Sequence, residues 1–403
     1  MSEKKFPHTT KISKILNPIF QGNVPSPGLF PDVVLDSLAG FASLRARISP
    51  LSNIERLIAA LRHKEPDRVP CCPLVIGGSR RLIGASFPDF SLKPDVTAHA
   101  LMTGFNMIGG EIVIPMLDLS VEAADFGQKM IYPDNSTPHP DYDNPLITDH
   151  TGYRKLRRID LKDAQRMQSI IEVCRIVTRQ MGMRGVVTGF CFGPLGVLCM
   201  MRGAEHLFRD CIQYPTDVMA ALDTITGVLV EFVQAQCDTG VQAVTLDTLF
   251  ASFNGLSKPL WEKVEGPFAR ELSKAIHARR CIVGVHNCGD GCYFDSQIRF
   301  MEPEIMSFAQ LPDDCTSLKE LKKRYGDQVV LMGNVNTALL AGSGPHEVLG
   351  ECRQIIEELA DGGGFILSPG CEYPPNASLE NAFTIVQAAR LYGDGSPGGT
   401  YGQ

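Results

Sequence analysis

From Ser52 onward the chain alternates between two hydrophobic patterns. Short, nearly uncharged apolar runs read as buried strands, and longer stretches with apolar positions three and four apart read as helices. Strands are predicted at 70–76 (PCCPLVI), 111–117 (EIVIPML), 185–191 (GVVTGFC), 242–248 (QAVTLDT), 281–286 (CIVGVH), 305–309 (IMSFA), 329–333 (VVLMG) and 364–368 (GFILS). Between most of them lie helical patterns such as KPLWEKVEGPFARELSKAIHARR, TSLKELKKRYG, PHEVLGECRQIIEELADGGG and SLENAFTIVQAARLYG, each finishing near a Gly or a basic residue, as helices do. Near-continuous apolar strands alternating with helices need cover on both faces. The pattern therefore predicts an α/β chain with a parallel sheet, and eight repeats predict a (β/α)8 TIM barrel. An open doubly wound sheet is the alternative, but no GxGxxG or Walker loop follows the first strand.

Two stretches depart from this rhythm. Residues 1–50 scatter Pro and Gly around one apolar-periodic run, VVLDSLAGFASLRARI, and read as an N-terminal extension with an amphipathic helix, ahead of a barrel domain at 51–395. Ser52 is the predicted N-cap of NIERLIAALRHK, the first helix of that barrel. The span 118–184 is too long for a simple crossover and contains the turn-rich YPDNSTPHPDYDNP, which predicts an insertion between strands 2 and 3 over one end of the barrel.

Composition narrows the function classes. At 403 residues, 44% hydrophobic and 21% charged, the chain affords a large core, which excludes disordered and fibrous classes. Lys and Arg number 38 against 45 acids, a net charge of −7 without a basic stripe, so nucleic acid is not an expected partner. No window approaches ~18 uninterrupted apolar residues, and MSEKKFPHTTKISK has no apolar region behind its basic residues; no membrane partner and a cytoplasmic location are expected. Thirteen cysteines, an odd number spread along a long chain, suit a reducing compartment in which thiols are free to bind metal.

Barrel enzymes carry their chemistry on the loops after the strands. His286 and Cys288 end the fifth predicted strand in GVHNCGDG, Cys371 follows the eighth in ILSPGCEYPP, Asp247 ends the fourth and Asn334 the seventh. His286 and Cys288 are two apart, so extended backbone projects both to one side, where a barrel mouth can bring Cys371 to meet them. Two sulfurs and an imidazole form a soft set that favours zinc, and three protein ligands leave a position open. Two competing readings stand beside it: buried core cysteines, and a compact structural site in HNCGDGC that uses Cys292 and has no need of Cys371. Asp247 reads as a proton carrier or polar anchor, or else a helix N-cap or salt-bridge partner; Asn334 as a substrate contact or a turn former; Glu372 as a fourth metal ligand or a loop acid.

NIERLIAALRHKEPDRVP, VEAADFG, FGPLGVLCMMRG, VVLMGNVNTALLAGSGPHEV and GGGFILSPGCEYPPNASLENAFTIVQAARLYG, in that order over about 52–393, resemble the motifs of the uroporphyrinogen decarboxylase superfamily, whose members are (β/α)8 barrels. The decarboxylases proper carry an Arg-rich motif in the first barrel loop, whereas PLVIGGSRRLIGAS has Arg80 and Arg81 without that motif. The HNC at 286–288 and PGC at 369–371 instead resemble the zinc-dependent corrinoid methyltransferase branch, typified by methylcobamide:coenzyme M methyltransferases. That resemblance implies Zn2+ held by His286, Cys288 and Cys371, and methyl transfer between a corrinoid and a small-molecule acceptor, such as the thiol coenzyme M, or a donor. The chain has no Asp-x-His-x-x-Gly stretch of the kind that ligates cobalt in cobalamin domains, and DHTG at 149–152 misplaces its His. The methylcobamide is therefore expected on a small corrinoid protein docked over the mouth, with Asp247, Asn287, Asn334 and Glu372 as its rim, Asn287 and Glu372 as cofactor contacts, and Asp247 and Asn334 as catalytic groups. Transfer in the opposite direction, porphyrinogen decarboxylation and a non-catalytic protein with structural zinc are the alternative functions.

Overall fold

Seven of the eight apolar runs form parallel strands: β1 Ile112–Val113, β2 Val186–Phe192, β3 Ala243–Asp247, β4 Ile282–Asn287, β5 Ile305–Phe308, β6 Val330–Val335 and β7 Phe365–Pro369. Each pairs with the next in chain order, which gives one curled sheet. This computed structural model describes residues 22–393 together with Ile19. The eighth stave is Pro70–Cys72. Leu367 N donates to Pro70 O and Cys72 N to Leu367 O, both at 2.9 Å, while on the other side Glu111 N donates to Cys71 O at 2.9 Å. These bonds join β7 to the start of β1 and close a (β/α)8 barrel. The strand expected at 70–76 is thus cut to three residues. Pro70 and Pro73 have no N–H to offer a ladder, and Leu74 turns to φ 50°, so the run leaves the pleat after Cys72.

The described part of the N-terminal extension contains a helix, as expected. Helix α1 (Asp32–Ala46) lies on α2 (Asn53–Leu61), tied by Arg62 to Asp36 at 2.7 Å and to Asp32 at 3.1 Å. It departs from the amphipathic expectation: Leu35, Ala39 and Ala42 are buried while Val33, Phe41 and Leu44 on its other side stay exposed. Ser52 caps α2 in a full capping box with Glu55. The insertion is shorter than predicted, because its last part is the ordinary crossover helix α3 (Gln165–Met181); residues 118–164 hold a short helix, a two-stranded hairpin pairing Met130–Ile131 with His139–Pro140, and a 3-10 turn. Among the described residues one helix, Pro215–Asp238, is long and apolar enough by length and composition to cross a membrane. Here it is a wall helix of the barrel. Ile225, Leu229, Phe232 and Val233 are buried, and Gln236 clamps β2 by accepting from Phe190 N at 2.9 Å and donating to Phe190 O at 3.0 Å.

Buried carboxyls brace the upper ends of the strands. Glu122, on the helix Val121–Asp125, accepts from Phe192 N at 3.0 Å, and burial pushes its carboxyl up to about 7 from an ordinary 4.5. A raised folded value means that the folded state keeps a proton the unfolded chain has lost, so this contribution to stability falls as pH rises from 4.5 to 7 and is absent above. Glu122→Gln retains the acceptor and removes the charge. It should stabilise the protein by on the order of 2 kcal/mol at pH 8 and have little effect near pH 4.5, as read by urea unfolding at the two values.

Candidate metal centre at the barrel mouth

Strand register assembles the site. Asp247 at the end of β3 lies opposite His286 on β4, and His286 lies opposite Ser307 on β5. Cys288 follows β4 directly. Cys371 arrives two residues after β7 through Gly370, whose N donates to Val335 O at 2.9 Å and where a Cβ would stand 2.6 Å from the Ala309 Cα. Only glycine allows that approach of the Pro-Gly-Cys turn to the end of β5.

The ligand-type atoms of His286, Cys288 and Cys371 all lie within 4.8 Å of one another, the one such cluster among the described residues. Cys292 is outside it: buried, its Sγ faces Gln310 O at 3.9 Å. The geometry therefore brings Cys371, not Cys292, to the His-x-Cys pair. The Cys288 thiol beside Cys371, helped by His286, holds Cys371 well below the usual thiol range despite burial, while the same contact and burial push Cys288 up. Burial opposes the His286 imidazolium, but Cys371 and Asp247 outweigh it and the net shift is upward. One sulfur can thus ionise against the imidazole; ionising both calls for a cation between them. Two sulfurs and a nitrogen within this span suit a soft divalent ion such as zinc.

Ser307 is the partner that sequence reasoning missed. His286 Nδ1 pairs with Ser307 Oγ at 3.0 Å, which leaves Nε2 as the nitrogen free for a metal. The residue was visible only as part of an apolar run, and strand register, which the sequence does not print, is what places it. Ser307→Ala should lower zinc affinity by roughly 10- to 100-fold in chelator competition while the fold persists, and Ser307→Thr should recover most of the loss.

The remaining expected residues fall differently. Asp247 is buried, its Oδ1 accepts from Leu249 N at 3.0 Å, and burial raises its carboxyl to about 6 against the opposing pull of His286. Glu372 accepts from Gly77 N at 2.9 Å and is raised by burial to about 7. Asn287 is a correction to the expected rim: it is fully buried, its Nδ2 donates to Thr248 O and Ala251 O at 3.0 Å, and its Oδ1 accepts from Gly289 N at 2.8 Å. With its amide consumed, Asn287 fastens the loops after β3 and β4 and offers a docked cofactor nothing. Asn334 donates to Ala309 O at 3.3 Å, while its Oδ1 and, opposite it on β7, the Ser368 Oγ are buried without a partner among the described residues. Phe253, on the loop after β3, is 64% exposed.

Below the three ligands a cavity of about 180 Å³ runs into the barrel. Beside it, Arg80 is locked into structure: its guanidinium lies 3.7 Å over the Phe87 ring and donates to Gly77 O, Pro375 O and Asn376 Oδ1, while Arg81 donates to Ala377 O.

Comparison with known proteins places this architecture. A family model described as uroporphyrinogen decarboxylase (URO-D) matches residues 52–392. The chain is 24% identical over 349 residues to the methylcobamide:CoM methyltransferase MtaA of Methanosarcina barkeri, covering 84% of this chain and 97% of that protein. It is also 24% identical over 307 residues to a uroporphyrinogen decarboxylase of Syntrophotalea carbinolica, covering 74% and 85%. A solved methyltransferase structure from Methanosarcina mazei superposes with a TM-score of 0.72 at 20% identity, over 84% of this chain and 98% of that one, which shows a shared fold.

Proposed function

The chain belongs to the uroporphyrinogen decarboxylase (URO-D) family, on the side that resembles the methylcobamide:CoM methyltransferases, and on that premise we propose that it is a zinc-dependent corrinoid methyltransferase. It moves a methyl group between a corrinoid carried by a partner protein and a small-molecule acceptor or donor. The catalytic unit in this reading is the barrel, residues 51–395, with residues 1–50 as an extension. The observation that carries the proposal is the convergence of His286 and Cys288 from the end of β4 and Cys371 from the end of β7 onto one cavity.

His286, Cys288 and Cys371 would hold zinc, leaving one position for the small substrate. When bound, the ion supplies a Lewis acid that favours the ionised form of a substrate thiol at neutral pH, or polarises another sulfur or oxygen. The chain does the rest. Ser307 fixes the imidazole, and the apolar barrel wall keeps water from the reacting atoms. Asp247 Oδ1 is occupied by Leu249 N, so Oδ2 is the atom that takes a proton released by the substrate and passes it to solvent. The partner's corrinoid docks over the mouth, where Phe253 offers an exposed aromatic anchor. A porphyrinogen decarboxylase is disfavoured by Arg80 and Arg81, whose bonds to the chain's own carbonyls withhold them from substrate carboxylates.

The test is the cobalt absorption spectrum of a methylated corrinoid mixed with the zinc-loaded chain and a panel of thiols. Demethylation that depends on zinc supports the reading. Methylation of reduced cobalt by a methylated compound, without thiol-dependent demethylation, reverses the direction and keeps the enzyme class. Turnover of uroporphyrinogen at ordinary enzyme rates, on the order of 1 per second or faster, refutes it.

A further inference from the structure

Resting on the methyltransferase reading, we propose that the small substrate is an uncharged, apolar compound with a body up to about one aromatic ring in size, whose reactive sulfur or oxygen sits at one end, and that anionic thiols are poor substrates.

The cavity under the three ligands has one polar end and an apolar remainder. Its walls include Ile114, Met116, Phe190, Phe192, Val285 and Met332. Its floor is Ile112, Val186, Ala243 and Ile305, which also line the separate apolar cavity at the other end of the barrel and so divide the two. Of the three hydroxyls on the wall, those of Thr188 and Thr245 share a hydrogen bond at 3.3 Å and that of Ser307 is paired with His286, so they ask little of a ligand. No Lys or Arg is among the described residues that line it; apart from the three ligands, the ionisable groups are the carboxyls of Asp247 and Glu372. Arg80, near Glu372, is spent on Gly77, Pro375 and Asn376.

A sulfonate or carboxylate drawn into this space would lose its hydration and meet no Lys or Arg among the described lining residues, and two thiolates would offset the charge of an ion at the polar end, an arrangement that buried anions do not tolerate. An apolar body loses nothing. Apolar cavities near 150 Å³ accept benzene, so about 180 Å³ admits a benzyl or phenyl group with its heteroatom directed at His286, Cys288 and Cys371.

Calorimetric binding to the zinc-loaded full chain tests this, with phenylmethanethiol and 2-mercaptoethanesulfonate as probes. The aromatic thiol is expected to bind at least roughly 100-fold more tightly. Leu119 lines the cavity at its mouth and is 37% exposed, so Leu119→Arg can place a cation there without disturbing the core; it should narrow the gap by about 10-fold. Methylbenzene should bind the metal-free chain as well, which reports on the cavity independently of zinc and separates this inference from the methyltransferase reading. Equal or tighter binding of the sulfonate, or no binding of methylbenzene, overturns the inference; the first of these leaves methyl transfer itself standing.

Discussion

Cys371→Ala should reduce zinc affinity by more than roughly 100-fold and abolish methyl transfer, because the two ligands left, His286 and Cys288, make a poor site. The loss should be local. Cys371 is half-buried on a turn whose position depends on Gly370 and on the bond from Gly370 N to Val335 O, neither of which the substitution touches, so the unfolding midpoint of the metal-free protein should hardly move. Cys292→Ala is the control: its sulfur stands outside the cluster, and zinc should be retained. Metal analysis of the two variants purified without chelator reads the result. Retention in Cys371→Ala with loss in Cys292→Ala would move the site to HNCGDGC and remove the open position.

A second large effect is expected far from the chemistry. Glu111 is fully buried at the start of β1; its Oε1 accepts from Arg56 at 3.0 Å and Arg68 at 2.6 Å, and its Oε2 from Cys71 N at 2.8 Å. Arg56 in turn holds Asp67 at 2.8 Å and Leu51 O at 2.8 Å, so one buried network fastens α2, the closing segment Pro70–Cys72 and β1. Glu111→Ala strands the buried Arg56 guanidinium with one partner too few and leaves Cys71 N unpaired. It should destabilise the fold by about 3–5 kcal/mol in urea unfolding. Arg68→Ala, at the more open edge of the same network, should cost distinctly less, since Arg56 still neutralises the carboxylate.

These two cases mark what the sequence could and could not disclose. Six of the seven paired strands were legible at nearly their full length because a strand buried on both faces must be a continuous apolar run, whereas the run at 111–117 pairs only at Ile112–Val113; the ligand set was legible because His-x-Cys and a later Cys fall just after such runs. The first stave was over-read: PCCPLVI has the composition of a strand, but two prolines limit its pairing to Cys71 and its neighbours. Helix α1 was over-read too, since apolar residues on both of its faces give a run without showing which side the barrel covers. Asn287 was misassigned because an Asn after a strand is equally a contact or a loop clamp, and only its three hydrogen bonds decide. Ser307, Glu122 and Glu111 were silent for a common reason. Their partners lie on neighbouring strands or distant loops, and register and closure, which no local pattern encodes, bring them together.

The central claim is that His286, Cys288 and Cys371 hold zinc with one position left for the substrate. X-ray absorption at the zinc edge of the loaded full chain, before and after addition of phenylmethanethiol, addresses it directly. Two sulfurs and one imidazole nitrogen from the protein, joined by a third sulfur when the thiol is added, is the predicted result; a closed set of four protein ligands that no thiol alters would contradict it.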